Sequence, residues 1–118
     1  MSNSQIDEIS VSISRYLSIR EHSKKELIDK LLKKNYDLED ILSRIEDYSK
    51  RNLQSDQRYA EDLIRVKFNA GKGPNFIENF LKSQQIPREI IEDGLSQYTK
   101  SDWVGQAIKS LRKKFKNN

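Results

Sequence analysis

Ser23-Lys24-Lys25-Glu26-Leu27-Ile28-Asp29-Lys30-Leu31-Leu32 is the stretch on which the fold class turns. Its first four residues form a capping box. The serine hydroxyl accepts from a first-turn amide, and the glutamate accepts from the serine's own N–H. Behind the box Leu27, Ile28 and Leu31 share one helical face until Asn35. Working outward, the same three- and four-residue spacing predicts six more helices. Upstream, about residues 5–20 carry Ile6, Ile9, Ile13, Tyr16 and Leu17 on one face. Downstream, Asp37 is placed to cap a helix whose Leu38, Ile41, Leu42, Ile45 and Tyr48 form one buried stripe.

Ser55-Asp56 opens the next helix, with Tyr59, Ala60, Leu63, Ile64 and Phe68 inward and Gly71 as its stop. Gly73-Pro74 starts a helix burying Phe76, Ile77, Phe80 and Leu81, with proline where its missing donor costs nothing. Pro87 starts another in the same way, with Ile90, Ile91, Leu95 and Tyr98 inward. Ser101-Asp102 opens the last, carrying Val104, Ala107, Ile108, Leu111 and Phe115 on one face. Strand-like alternation is absent, so the expected class is all-α.

The helices repeat. Ile9, Ile13 and Leu17 recur 51 residues later as Ala60, Ile64 and Phe68, and 47 residues after that as Ala107, Leu111 and Phe115. Leu27, Leu31 and Tyr36 fall 50 residues before Ile77, Leu81 and Ile86, and Ile41, Ile45 and Tyr48 stand at the same offset from Ile91, Leu95 and Tyr98. A constant offset across three helices predicts tandem three-helix repeats: 1–52, 53–100, and a third, 101–118, present only as its first helix with a basic tail. The expectation is of a truncated chain. The last stripe must then pack back on the second repeat, dimerise or stay partly exposed.

The chain has 118 residues, 34% of them charged and 35% hydrophobic, with a mean hydropathy of -0.86. No apolar run approaches the roughly 18 residues that cross a bilayer, and Met1 to Glu8 has neither the basic start nor the apolar centre of a secretory signal. There is no cysteine, which excludes disulfides and thiolate chemistry and suits a reducing cytoplasm. The net charge of +4 is concentrated. Residues 1–60 balance eleven basic against eleven acidic side chains, while residues 105–118 hold Lys109, Arg112, Lys113, Lys114 and Lys116 and no acid. The isoelectric point of about 9.3 therefore describes one end of the molecule.

No constellation suggests catalysis. His22 lies beside Glu21 and Ser23, but side chains of adjacent residues diverge and cannot converge on a reacting atom. It reads as a turn residue next to a capping serine. Glu61-Asp62 and Glu92-Asp93 are adjacent rather than facing acids. Gly71-Lys72-Gly73-Pro74 lacks the spacing and the preceding strand of a phosphate loop, and a helix stop followed by a helix start explains each of its residues. The expectation is a protein without enzymatic activity, metal or cofactor. A basic surface is the stronger candidate: Lys109, Arg112, Lys113 and Lys116 fall along one flank of the last helix, suited to phosphates or to an acidic groove. Arg58, Arg65, Lys67 and Lys72 form a second group, diluted by Glu61 and Asp62. Trp103 is expected to anchor packing between repeat units rather than to stack on bases.

The run Arg20-Glu21-His22-Ser23-Lys24-Lys25-Glu26-Leu27, then Asp56-x-x-Tyr59-Ala60, Gly71-Lys72-Gly73-Pro74-x-x-Ile77, Leu81 and Trp103, resembles the bacterial regulatory RecX family over about residues 10–115. The resemblance implies tandem three-helix repeats that bind the recombinase RecA in the helical groove of its filament on DNA and restrain its ATPase and strand exchange. It also implies no catalytic centre or cofactor, and a place in DNA repair and recombination. The motif residues carry over mainly as architecture, with Arg20 the most plausibly exposed. Members commonly complete a third repeat, where this sequence keeps one helix. The expected contact surface to RecA and to single- and double-stranded DNA is Arg20, Arg58, Arg65, Lys67, Lys72, Lys109, Arg112, Lys113, Lys114 and Lys116. Two alternatives stand beside it: a helical module that binds DNA alone, and a helical adaptor between proteins.

Overall fold

The computed structural model describes the backbone of residues 2–116 and the side chains of residues 4–116. Among the described residues seven helices account for the fold: α1 (Ser2–Ile19), α2 (Lys24–Leu32), α3 (Leu38–Lys50), α4 (Asp56–Asn69), α5 (Pro74–Ser83), α6 (Arg88–Leu95) and α7 (Lys100–Lys116). Among the described residues there is no strand, and no helix is long and apolar enough to cross a membrane. The chain falls into two compact units that divide between Tyr59 and Ala60.

In the first unit α3 packs against both α1 and α2. The reason lies in the spacing: Ile9 and Ile13 of α1, Leu27 and Leu31 of α2, and Ile41, Ile45 and Tyr48 of α3 meet as one buried cluster. The Tyr48 hydroxyl, the polar edge of that cluster, donates to the Ser10 carbonyl at 2.9 Å and accepts from Ser14 Oγ at 2.6 Å. Leu38 and Leu42 depart from the expected buried stripe. They stand 48% and 45% exposed, because only the centre of the α3 stripe meets its neighbours.

The second unit repeats the pattern. Ala60, Ile64, Ile77, Leu81, Ile86 and Ile91 are buried, each at the offset the sequence predicts. Turns repeat with the helices: Asn35 after α2 and Gln85 after α5, 50 residues apart, both have left-handed backbones, with φ of 64° and 58°. Gly94 of α6 comes close to α4, where an added Cβ would lie 2.5 Å from Ile64 Cδ1. Phe76, expected in the core, is 48% exposed, since Ile77 and Leu81 already fill the centre of the α5 face.

Helix starts follow the sequence with three corrections, the first being that Asp37 holds the cap position of α3 without a side-chain capping hydrogen bond. Ser23 caps α2 and Glu26 completes the box, with both hydrogen bonds at 3.1 Å. Ser55 accepts from Arg58 N at 3.1 Å at the start of α4, and Pro74 stands in the first turn of α5. Pro87, in contrast, is the cap of α6 rather than its first residue. The last helix begins at Lys100, not at Ser101-Asp102. Thr99 and Asp102 hold it by a reciprocal pair, Asp102 N donating to Thr99 Oγ1 at 3.0 Å and Thr99 N to Asp102 Oδ2 at 2.8 Å. The acid at the third helical position serves where glutamate serves in α2.

Candidate functional site

Helix α7 docks in the second unit by a narrow face. Trp103, Gln106 and Ser110 are its partly covered side chains. Trp103 meets Phe68 edge-on at 5.1 Å between ring centroids and lies 5.3 Å from Tyr98, while Phe68 and Tyr98 stack at 4.5 Å. This is the packing anchor expected of the tryptophan. The Gln106 amide donates to the Asn69 carbonyl at the end of α4, at 3.3 Å. Ser110 sits against Gly71, whose φ of 85° and lack of a side chain admit the contact. The apolar stripe lies elsewhere: Val104, Ile108, Leu111 and Phe115 are 51%, 45%, 54% and 72% exposed. The stripe therefore does not pack back on the second repeat.

The docked face sets the basic one. Lys109, Lys113 and Lys114 line an open groove with Gln106 and Ser110 of α7 and with Asn69 and Ala70 at the end of α4. The carbonyl end of α4 carries partial negative charge, which favours ammonium groups nearby. Arg112 and Lys116 are exposed on the same helix. None of these five cations forms an ion pair with a described side chain. A run of free cations beside hydroxyl and amide groups can take up phosphate oxygens or carboxylates.

The second basic group is dispersed by its partners. Arg65 pairs with Asp62 at 3.1 Å. Lys67 and Lys72 instead lie over aromatic rings of α5, 5.3 Å from the Phe80 centroid and 5.0 Å from that of Phe76. In the first unit Arg58 donates to Glu21 at 3.1 Å, to Asn52 Oδ1 at 3.0 Å and to the Asn52 carbonyl at 2.9 Å. Arg20 grips Glu26 with two bonds of 3.0 and 2.8 Å and also donates to the Glu21 carbonyl. Arg20 is thus the ion-pair partner of the capping glutamate as well as an exposed cation. That hydrogen bond raises the arginine's pKa. Burial pushes the Glu26 carboxyl up, but the Arg20 bond, the Ser23 N–H and the Arg20 charge outweigh it and leave the group below its ordinary value.

His22 is the centre of a knot that local sequence does not reveal. It is buried, as are Ser23 and Gln54. Its Nδ1–H donates to the Arg20 carbonyl at 3.0 Å, and its Nε2 accepts from Lys30 Nζ at 2.8 Å. Gln54 Nε2 donates to the His22 carbonyl at 3.1 Å and to Asp56 Oδ1 at 3.0 Å, and the same oxygen accepts from Lys24 N at 3.0 Å. The start of α4 is thereby tied to the α1–α2 turn. Tyr59, buried beside this region with Glu26 close by, has its hydroxyl pushed up to about 12. Burial lowers the His22 pKa, helped by the charges of Arg20 and Lys30 and opposed by the Arg20 carbonyl and Glu26.

A proton on Nε2 would face the Lys30 ammonium. Folding therefore favours neutral His22, and the unfolded chain binds the proton more readily, so stability falls as pH drops below the ordinary histidine value of 6.5. Glu26 acts in the same sense lower, as pH falls below its ordinary 4.5. Chemical denaturation from about pH 7 to about pH 5.5 should show this decline in the native chain and a flatter profile in His22→Gln. An equal slope in the two would refute the role given to the imidazole.

Both units match known three-helix models. Residues 14–46 match the first three-helix domain of RecX and residues 55–95 the second. The chain belongs to the RecX family. The regulatory protein RecX of Legionella pneumophila (strain Corby) is 37% identical over 105 residues, 89% of this chain and 69% of that relative. RecX of Acinetobacter baylyi is 35% identical over 99 residues, 84% of this chain and 60% of the relative. A crystal structure of RecX from Lactobacillus salivarius superposes with a TM-score of 0.81 at 27% identity, covering 98% of this chain and 78% of that one. A second crystal structure, of regulatory protein RecX, has a TM-score of 0.84 at 23% identity over 60% of its length and speaks for the fold alone. The chain thus spans 60–69% of the length of these two relatives.

Proposed function

We propose that this RecX-family chain modulates RecA by binding in the groove of the RecA–DNA filament, acting in the cytoplasm by contact alone and without catalytic chemistry. The observation that carries the reading is the match of both three-helix units to the two RecX domains. The segments 1–52, 53–100 and 101–118 would then act as successive repeats along the groove. Tandem helical units offer an extended surface to a continuous partner, and many modest contacts combine by multivalency. The cations of α7, with Lys67 and Lys72, supply charge for DNA phosphates. Arg20, Arg58 and Arg65 contribute cations already engaged with Glu26, Glu21 and Asp62.

The test is binding. A fluorescently labelled chain is titrated with RecA assembled on single-stranded DNA, with that DNA alone and with RecA alone. The filament should bind more tightly than either component. Binding to bare DNA as tight as to the filament would favour a stand-alone DNA module and contradict the proposal.

A further inference from the structure

Residues 63–77 contain no acid and three cations, Arg65, Lys67 and Lys72. Two of those cations lie over aromatic rings of one helix. Lys72 Nζ lies 5.0 Å from the centroid of the Phe76 ring and Lys67 Nζ 5.3 Å from that of Phe80. The two rings are four residues apart on α5, one helical turn, with a rise of about 6 Å between them. Their neighbours Ile77 and Leu81 are fully buried. The phenylalanines therefore form a separate stripe beside the core face, with Phe76 48% exposed and Phe80 half-buried. The acid nearest in sequence, Glu78, is paired with Lys82 at 3.2 Å.

We propose that Phe76 and Phe80, with Lys72 and Lys67 at their rings, form a stacking platform for the bases of single-stranded nucleic acid. A nucleotide offers a flat π-face and an anion, and each ring–ammonium pair offers an aromatic face and a cation. Base stacking on such rings tolerates any sequence, and the lysines follow the backbone. An apolar protein segment laid on the same stripe would cover the rings while stripping water from two ammonium groups that form no ion pair among the described residues, an unfavourable exchange. A duplex hides the faces of its bases, so the platform selects unpaired strands, which basic charge alone does not. This rests on the reading of the chain as a DNA-contacting protein and adds to it which form of the strand is recognised and where.

The experiment is fluorescence anisotropy on the full chain with three labelled probes of equal length: oligothymidine, an abasic deoxyribose-phosphate strand, and a duplex. The wild type should bind oligothymidine more tightly than the abasic strand. Phe76→Ala should weaken the oligothymidine complex roughly tenfold and leave the other two unchanged, while Phe76→Trp keeps the preference. Equal loss on all three probes, or no loss on oligothymidine, would overturn the platform. Binding of the wild type to all three probes alike refutes stacking and leaves the basic-surface reading standing. Failure of the wild type to bind any probe overturns the platform, while the filament titration above decides the underlying reading separately.

Discussion

Reversing Lys109, Arg112, Lys113 and Lys116 together to glutamate should weaken binding to the RecA–DNA filament at least about a hundredfold near 0.1 M salt. Each lysine or arginine that meets a phosphate releases a condensed counterion, and losing it lowers the salt slope by about one. Four such contacts therefore predict a slope flatter by up to about four. The geometry favours a large effect. These side chains make no ion pair with a described residue, and two of them line one groove with Lys114, so none must break a bond in order to reach an anion. The stability of the fold should barely change, because all four are exposed. Filament affinity measured against salt checks both quantities. An unaltered affinity with an unaltered slope would remove this cluster from the contact surface.

Leu31→Ala should destabilise the first unit by about 2–5 kcal/mol in denaturant melts, through lost transfer energy and the cavity left behind. Leu31 has no solvent exposure and belongs to the cluster that joins α1, α2 and α3. Leu81, its counterpart 50 residues on, is equally buried and should behave alike. The informative contrast is Leu111, which the repeat aligns with fully buried Ile13 and with Ile64. It is 54% exposed, and Leu111→Ala should change stability by no more than about 0.5 kcal/mol. A loss of several kcal/mol at Leu111, or one near zero at Leu31, would contradict the placement of the cores.

Most of the fold was legible because local and periodic signals agree. The Ser23–Glu26 box, the apolar spacing and the near-constant 50-residue offset all point to the same helices, and the left-handed residues Asn35 and Gln85 extend the repeat into the turns. Periodicity tells which face is apolar, but not how much of it a neighbour covers. Leu38, Leu42, Phe76 and the α7 stripe were legible as apolar and not as exposed, since coverage depends on helices far along the chain. Thr99 could have been found: Thr-x-x-Asp is a capping pattern, but the Ser101-Asp102 pair two residues later drew the helix start to itself. The basic residues were visible as charges. Their separation into free cations on α7, ion pairs at Arg20, Arg58 and Arg65, and ring contacts at Lys67 and Lys72 was not. It arises from packing, as where α4 and α5 bring Lys67 to Phe80. The His22 knot is long-range in the same way, joining Lys30, Gln54 and Asp56 around one turn.

The most direct measurement is the single-stranded-DNA-dependent ATPase of RecA with this chain titrated in at low and at high salt. Inhibition at substoichiometric chain that weakens as salt rises is the predicted result. It would mean that two three-helix units and α7 suffice to restrain the filament. An ATPase that stays constant at both salt concentrations, with the chain shown to be helical and folded by circular dichroism, would contradict the account.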